Sequence, residues 1–272
     1  DTGALLITVA TSMIAIEIGV AALLFPRMLI EGVDPLSAAW ESIYIAAMAF
    51  TNTGFMPTAD GLAPYATDPW FLIAIMVGVV LGAIGFPVIY AISKHARTPR
   101  RWPLHAKLTL ITFAILFVLG TLAYLVLESV EGNVFVALDP GQRVLQASFM
   151  SAMARSGGFS TVDYGQLDGS SLLVTDMLMF VGGGSASTAG GIKVTTLAIL
   201  FLAAVAEARG SDEMEAYERR IPQDVLRLAV SVVLWGATLV AATTITLMLI
   251  TEAPLDHVLF DAQQFGLHAA VG

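Results

Sequence analysis

Long apolar runs, not an alternation of apolar and polar positions, dominate this chain. Residues 4–25, 70–92, 108–127 and 228–250 each read as a helix of about 20 mainly apolar residues, enough at ~1.5 Å per residue to cross a ~30 Å hydrocarbon layer. Residues 171–205 form a longer run that would measure ~52 Å as one straight helix. Its centre holds Gly182, Gly183, Gly184, Ser185, Ala186, Ser187, Thr188, Ala189, Gly190 and Gly191. So many glycines break a helix, which predicts two half-helices joined by non-helical backbone at membrane depth. Three shorter apolar pieces, 36–50, 142–154 and 257–265, are too short to span and read as re-entrant or buried helices.

Composition agrees with this pattern. Hydrophobic residues make up 57% and charged residues 13% of the 272, and the mean hydropathy is +0.79. A soluble domain carries about 25% charged residues, so the chain reads as an integral membrane protein in contact with the bilayer. A disordered chain, a nucleic-acid-binding domain and a disulfide scaffold are excluded. The net charge of −9 argues against a polybasic surface, and the lack of cysteine excludes thiol nucleophiles and Cys-ligated metals. The chain opens on Asp1 without the basic stretch of a signal peptide, and is expected to be a piece of a longer protein.

Basic residues predict the orientation. Lys94, Arg97, Arg100, Arg101 and Lys107 cluster in one linker, and Arg209, Arg219, Arg220 and Arg227 in another. Residues 56–69, 128–142 and 157–171 contain no Lys or Arg. The positive-inside rule places the first two linkers in the cytoplasm and the others outside. The sides alternate consistently only if the short apolar pieces return to the outer face. The order of spanning helix, outer linker, short helix, Gly-Phe turn, spanning helix and inner linker then occurs twice, and a third copy begins. Gly54-Phe55 and Gly158-Phe159 mark equivalent turns, one period of roughly 100 residues apart. A re-entrant helix followed by an extended glycine turn can aim backbone carbonyls at a dehydrated cation.

Residues 179–196 (MFVGGGSASTAGGIKVTT) closely resemble a signature of the Trk/Ktr/HKT superfamily of potassium transporters. The stretches 51–55 (TNTGF) and 155–163 (RSGGFSTVD) resemble its second and third filter turns, and 104–108 with 219–222 resemble the Ktr branch. The resemblance implies an all-α polytopic membrane protein. It would be the pore-forming subunit, built from helix–pore-helix–helix units around a pseudo-fourfold axis. About two and a half of four units are present, the first unit and the last helix being absent. On that template 1–98 is the second unit, 99–222 the third with its broken helix, and 223–272 the start of the fourth. The end of the chain does not match the fourth filter turn, and no filter residue is assigned there. The resemblance further implies potassium uptake across a bacterial plasma (inner) membrane, no cofactor in this chain, a homodimer, and a cytosolic nucleotide-binding (RCK/KTN) regulatory subunit. The transported ion is K+, with Na+ the other candidate. The alternative function is a secondary cation transporter, a Na+ or K+/Na+ symport, with a broken-helix binding site. It would predict inverted repeats, whereas the two full units here share one orientation.

The carbonyls of Asn52, Thr53 and Gly54, and of Ser156, Gly157 and Gly158, are the expected ion ligands; the plain alternative is a turn closing a helical hairpin. For 184–191 a phosphate loop is disfavoured, because Ile192 separates Gly191 from Lys193. A gate across the pore and close helix packing through small residues stay open. Lys193 either repels cations from a closed pore or snorkels to the cytoplasm. Asp176 lines the outer half of the pore or sits at the outer interface. Glu17 lies inside the first span. Trp40, Trp70, Trp102 and Tyr164 read as interfacial anchors. The four histidines lack metal-ligand spacing, and no nucleophile–base constellation marks an enzyme.

Overall fold

Aspartate–proline pairs punctuate the chain and start three of its helices. Asp34-Pro35 opens α2 (Pro35–Phe50), Asp68-Pro69 opens α3 (Pro69–Ile84) and Asp139-Pro140 opens α6 (Pro140–Met153). Proline fits the first helical position, where its missing N–H costs nothing, and an aspartate before it can bond the exposed N–H groups. The Asp34 carboxylate accepts from Leu36 and Ser37, and Asp68 from Trp70 and Phe71. These helices belong to a computed structural model that describes residues 2–94, 96–130, 132–209, 215, 216, 219, 220, 223–251 and 253–263.

The remaining helices are α1 (Thr2–Ile30), α4 (Phe86–Lys94), α5 (Leu104–Leu127), α7 (Gly169–Phe180), α8 (Val194–Ala208), α9 (Gln223–Ile250) and α10 (Leu255–Ala262). A minimal antiparallel pair, β1 (Glu215–Ala216) with β2 (Arg219–Arg220), lies within the second basic linker; the rest of 210–222, and 264–272, lie outside the described residues. By length and composition α1, α5 and α9 can each cross a membrane. The outward faces of these helices, with Val118, Leu119, Leu234 and Trp235 exposed, suit contact with acyl chains. The fold is that of a helical membrane protein.

The crossing expected over 70–92 is not one straight helix. It bends by 97° between α3 and α4, at Gly85, whose φ of +89° is a conformation open to glycine at little cost. The following Phe86-Pro87 starts α4 and confirms the break, because proline cannot sit inside a continuous helix without removing a hydrogen bond. The run 171–205 is two helices, α7 and α8, with non-helical backbone over 181–193 between them.

Helix α6 stands between two cores. Its Phe149, Ala152 and Met153 join Leu24, Ile45, Phe71 and Ile75 of α1, α2 and α3. Its Ala147 and Met150 join Tyr124, Leu172 and Leu178 of α5 and α7. Polar contacts tie the start of α3 to its neighbours. Asp68 pairs with Arg27, which also meets Glu31 at 2.8 Å, and Trp70 Nε1 donates to the Leu23 carbonyl at 2.8 Å. Gln142 Nε2 donates to the Thr67 carbonyl at 3.0 Å, and Gln146 of α6 to that of Ala66. The segment that leads into α3 is thereby held to α1 and to the start of α6.

Candidate functional site

The turn after α2 begins as a helix cap. The Asn52 N–H donates to Ala49 O at 3.2 Å and the Thr53 N–H to Met48 O at 3.1 Å, the bond pattern of a Schellman motif. Such a cap needs one left-handed residue, and Asn52 supplies it with φ of 55°. Gly54 follows, also left-handed at 69°. After α6 the order repeats: Ser156 has φ of 75° and Gly158 of 79°, and the Gly157 N–H returns to Met153 O at 2.8 Å. Each turn therefore holds a left-handed polar residue, one further residue, and a left-handed glycine.

The two turns meet backbone to backbone. A Cβ built on Gly54 would lie 2.2 Å from the carbonyl carbon of Gly158, and one on Gly158 would lie 2.7 Å from Thr53 O. The N–H groups of Asn52, Thr53, Gly54 and Gly157 point back into their helices. The carbonyls of Thr53, Gly54, Gly157 and Gly158 accept no hydrogen bond among the described residues. Asn52, Ser156 and Gly157 are buried, Gly54 is half-buried, and Thr53 and Gly158 are exposed. Both turns border one open cavity of about 560 Å³, also lined by Met153, Thr175, Met179, Tyr164 and Phe260. A desolvated cation needs such free carbonyl oxygens.

The 181–193 segment lies against this assembly. Its ends are bridged, Gly182 N–H to Ile192 O at 2.9 Å and Ile192 N–H to Phe180 O at 3.1 Å. Gly182, Gly183, Gly184, Ala189, Gly190 and Gly191 are buried, Ser187 is half-buried, and Ser185, Ala186 and Thr188 are exposed. Gly184 N–H donates to Ala83 O at 2.7 Å, next to the bend in the α3–α4 pair. Lys193, half-buried, caps the loop internally: its Nζ donates to Ala189 O at 3.0 Å.

Asp176 is buried at 2% exposure, and its Oδ1 has no hydrogen-bond partner among the described residues; Thr175 beside it borders the cavity. Tyr164 stacks on Phe260 at 5.0 Å in the cavity wall. One residue escaped notice as more than part of a motif. Arg155 is wholly buried behind the second turn, with Nη1 donating to Phe113 O at 2.9 Å and its guanidinium 3.9 Å from the Phe113 ring centroid. Its only sequence signal is a charge inside an otherwise apolar and small-residue stretch. Among the described residues no group of His, Asp and Glu forms a metal site.

The chain is similar to known transport proteins. The chain is 30% identical over 221 residues to the Ktr system potassium uptake protein B of Vibrio alginolyticus, covering 81% of this chain and 49% of that protein. It is 29% identical over 259 residues to the protein of the same name from Bacillus subtilis, covering 95% and 57%. It is 34% identical over 184 residues to the potassium/sodium uptake protein NtpJ of Enterococcus hirae, covering 68% and 40%. The chain thus spans about half the length of the curated relatives it matches. The fold is similar to that of the potassium transporter TrkH from Vibrio parahaemolyticus, with a TM-score of 0.66 at 16% identity over 95% of this chain and 62% of that one. A family model described as TrkH, cation transport protein, matches residues 3–262, and the chain belongs to that family of transporters, not to a family of enzymes.

Proposed function

We propose that this chain forms part of a potassium-selective pore. The observation that carries the reading is the meeting of the 52–54 and 156–158 turns with unoccupied carbonyls beside one cavity. Potassium sheds water against these carbonyls and moves inward down its electrochemical gradient, with the membrane potential contributing ~2.3 kcal/mol per charge per 100 mV. The helix order α1–α2–α3/α4 and α5–α6–α7/α8 serves as two pore units, with α9–α10 beginning another. The 182–191 loop with Lys193 acts as the gate. Its hydroxyls and exposed backbone at membrane depth fit a water-lined path and not lipid.

The relatives' names support potassium as the ion, and the potassium/sodium uptake protein among them makes sodium the comparison to run. The setting is a bacterial inner membrane, with a second copy of the subunit and a cytosolic nucleotide-binding regulatory subunit docked at the basic linkers. The test is ion uptake by the intact gene product in cells lacking their own potassium uptake. Potassium-dependent rescue with K+ preferred over Na+ supports the reading. Absence of flux in protein that is inserted and assembled rejects it.

A further inference from the structure

The gate loop and the filter turns are not separate structures. The Thr188 hydroxyl donates to the Phe50 carbonyl at 2.8 Å and lies 2.6 Å from the Asn52 side-chain amide. Asn52 Nδ2 donates to that hydroxyl and, at 3.3 Å, to the Phe50 carbonyl, which leaves the hydroxyl proton for Phe50; turned over, the amide would instead accept the Thr188 proton and Ala83 N–H at 3.2 Å and donate to Val79 O at 3.3 Å. Thr188 N–H donates to Gly82 O at 3.3 Å. The junction is tight: a Cβ on Gly82 would lie 2.0 Å from Phe50 O and 2.8 Å from Thr188 Oγ1. At the second turn, Gly190 N–H donates to Ser156 Oγ at 3.1 Å.

Asn52 and Ser156 are the non-glycine left-handed residues of the two turns. A side chain disfavours that conformation, so each turn needs outside support at that residue. The loop supplies it to both, through Thr188 at one and Gly190 at the other. Phe50, the last residue of α2, sets where the first turn leaves its helix. A group bonded at once to Phe50 and Asn52 therefore fixes the direction of the carbonyls that follow.

We propose that Thr188 is a positioning residue for ion selectivity: its hydroxyl holds the 50–54 turn in the geometry that binds a dehydrated cation. This rests on reading the two turns as the filter. It divides the loop by role. Residues 188–190 support the filter, and the exposed stretch around Ser185 and Ala186 is the part left to obstruct the path.

The experiment measures the K+ over Na+ uptake ratio of the intact gene product, with membrane-inserted protein quantified in parallel. Thr188→Val keeps the shape and removes the hydroxyl. The ratio is expected to fall about fivefold, the size of one lost hydrogen bond in an equilibrium. Thr188→Ser, which keeps the hydroxyl, restores it. Ser156→Ala lowers the ratio in the same direction, and it decides the matter if the valine variant fails to insert. An unchanged ratio with increased flux in Thr188→Val makes the loop a gate alone and overturns the proposal. Gly54→Ala separates the two levels: a changed ratio there with an unchanged one in Thr188→Val keeps the filter and rejects the positioning role. Unchanged ratios in both reject the filter as well.

Discussion

Gly54→Ala is the sharpest test of the filter. The new methyl would sit 2.2 Å from Gly158 C, 2.4 Å from Gly158 Cα and 2.7 Å from Gly157 O. All three are backbone atoms, so no rotamer change relieves the contact. Ordinary carbon–carbon contact is about 3.5–4.0 Å, so the turns must part by about 1 Å or more. Overpacking of this kind costs about 1–3 kcal/mol, and holding alanine left-handed, φ being 69°, adds roughly 1–2 kcal/mol. A tenfold change in ion preference needs only about 1.4 kcal/mol. Since the displaced atoms include the free carbonyls, at least a tenfold loss of K+ over Na+ preference is expected, with the protein still inserted. The assay is K+ and Na+ uptake in uptake-deficient cells, normalised to protein in the membrane. Gly61→Ala is the control. It is also left-handed, at 56°, but its added methyl has nothing within 4 Å, so it carries the strain without the collision and keeps its selectivity. Wild-type potassium affinity and selectivity in Gly54→Ala would refute the reasoning.

Deleting 185–187 should raise flux and reduce dependence on the cytosolic partner while leaving the K+ over Na+ ratio intact; a fall in flux at normal expression favours close packing over a gate. Lys193→Ala removes the bond to Ala189 O and should shift flux upward, read in the same uptake assay. Arg155→Leu loses its hydrogen bonds to Phe113 O and Ser151 O, and a charged hydrogen bond contributes about 1.5–3 kcal/mol. Its melting temperature in detergent should fall clearly below wild type, and an unchanged value would show that α5 and α6 do not depend on it. Single cysteines, convenient in a chain that has none, should be labelled from outside at 56–69 and 160–170 and only from inside at 96–101. External labelling near 100 would reverse the topology.

Much of this protein is legible in its sequence, because the decisive features are local. Apolar run length alone specifies helices that leave water, and α1, α5 and α9 match those runs to within a few residues. The glycine cluster over 182–191 forbids a continuous helix wherever it is placed. The paired Gly-Phe turns could be picked out because only glycine meets the left-handed backbone there without strain. The bend at Gly85 was also written locally, in Gly85-Phe86-Pro87, but the apolar character of the whole run concealed it. What hydropathy could not show is which apolar face meets protein and which meets lipid, since acyl chains are as apolar as a core. That choice buried Asp176 and Arg155 and turned Tyr164 onto Phe260. The contact between Thr188 and Asn52 spans 136 residues, and no periodicity or spacing encodes such a pairing. Only the packing of α3 and α6 between the two halves of the chain brings the turns together and lays the loop against them.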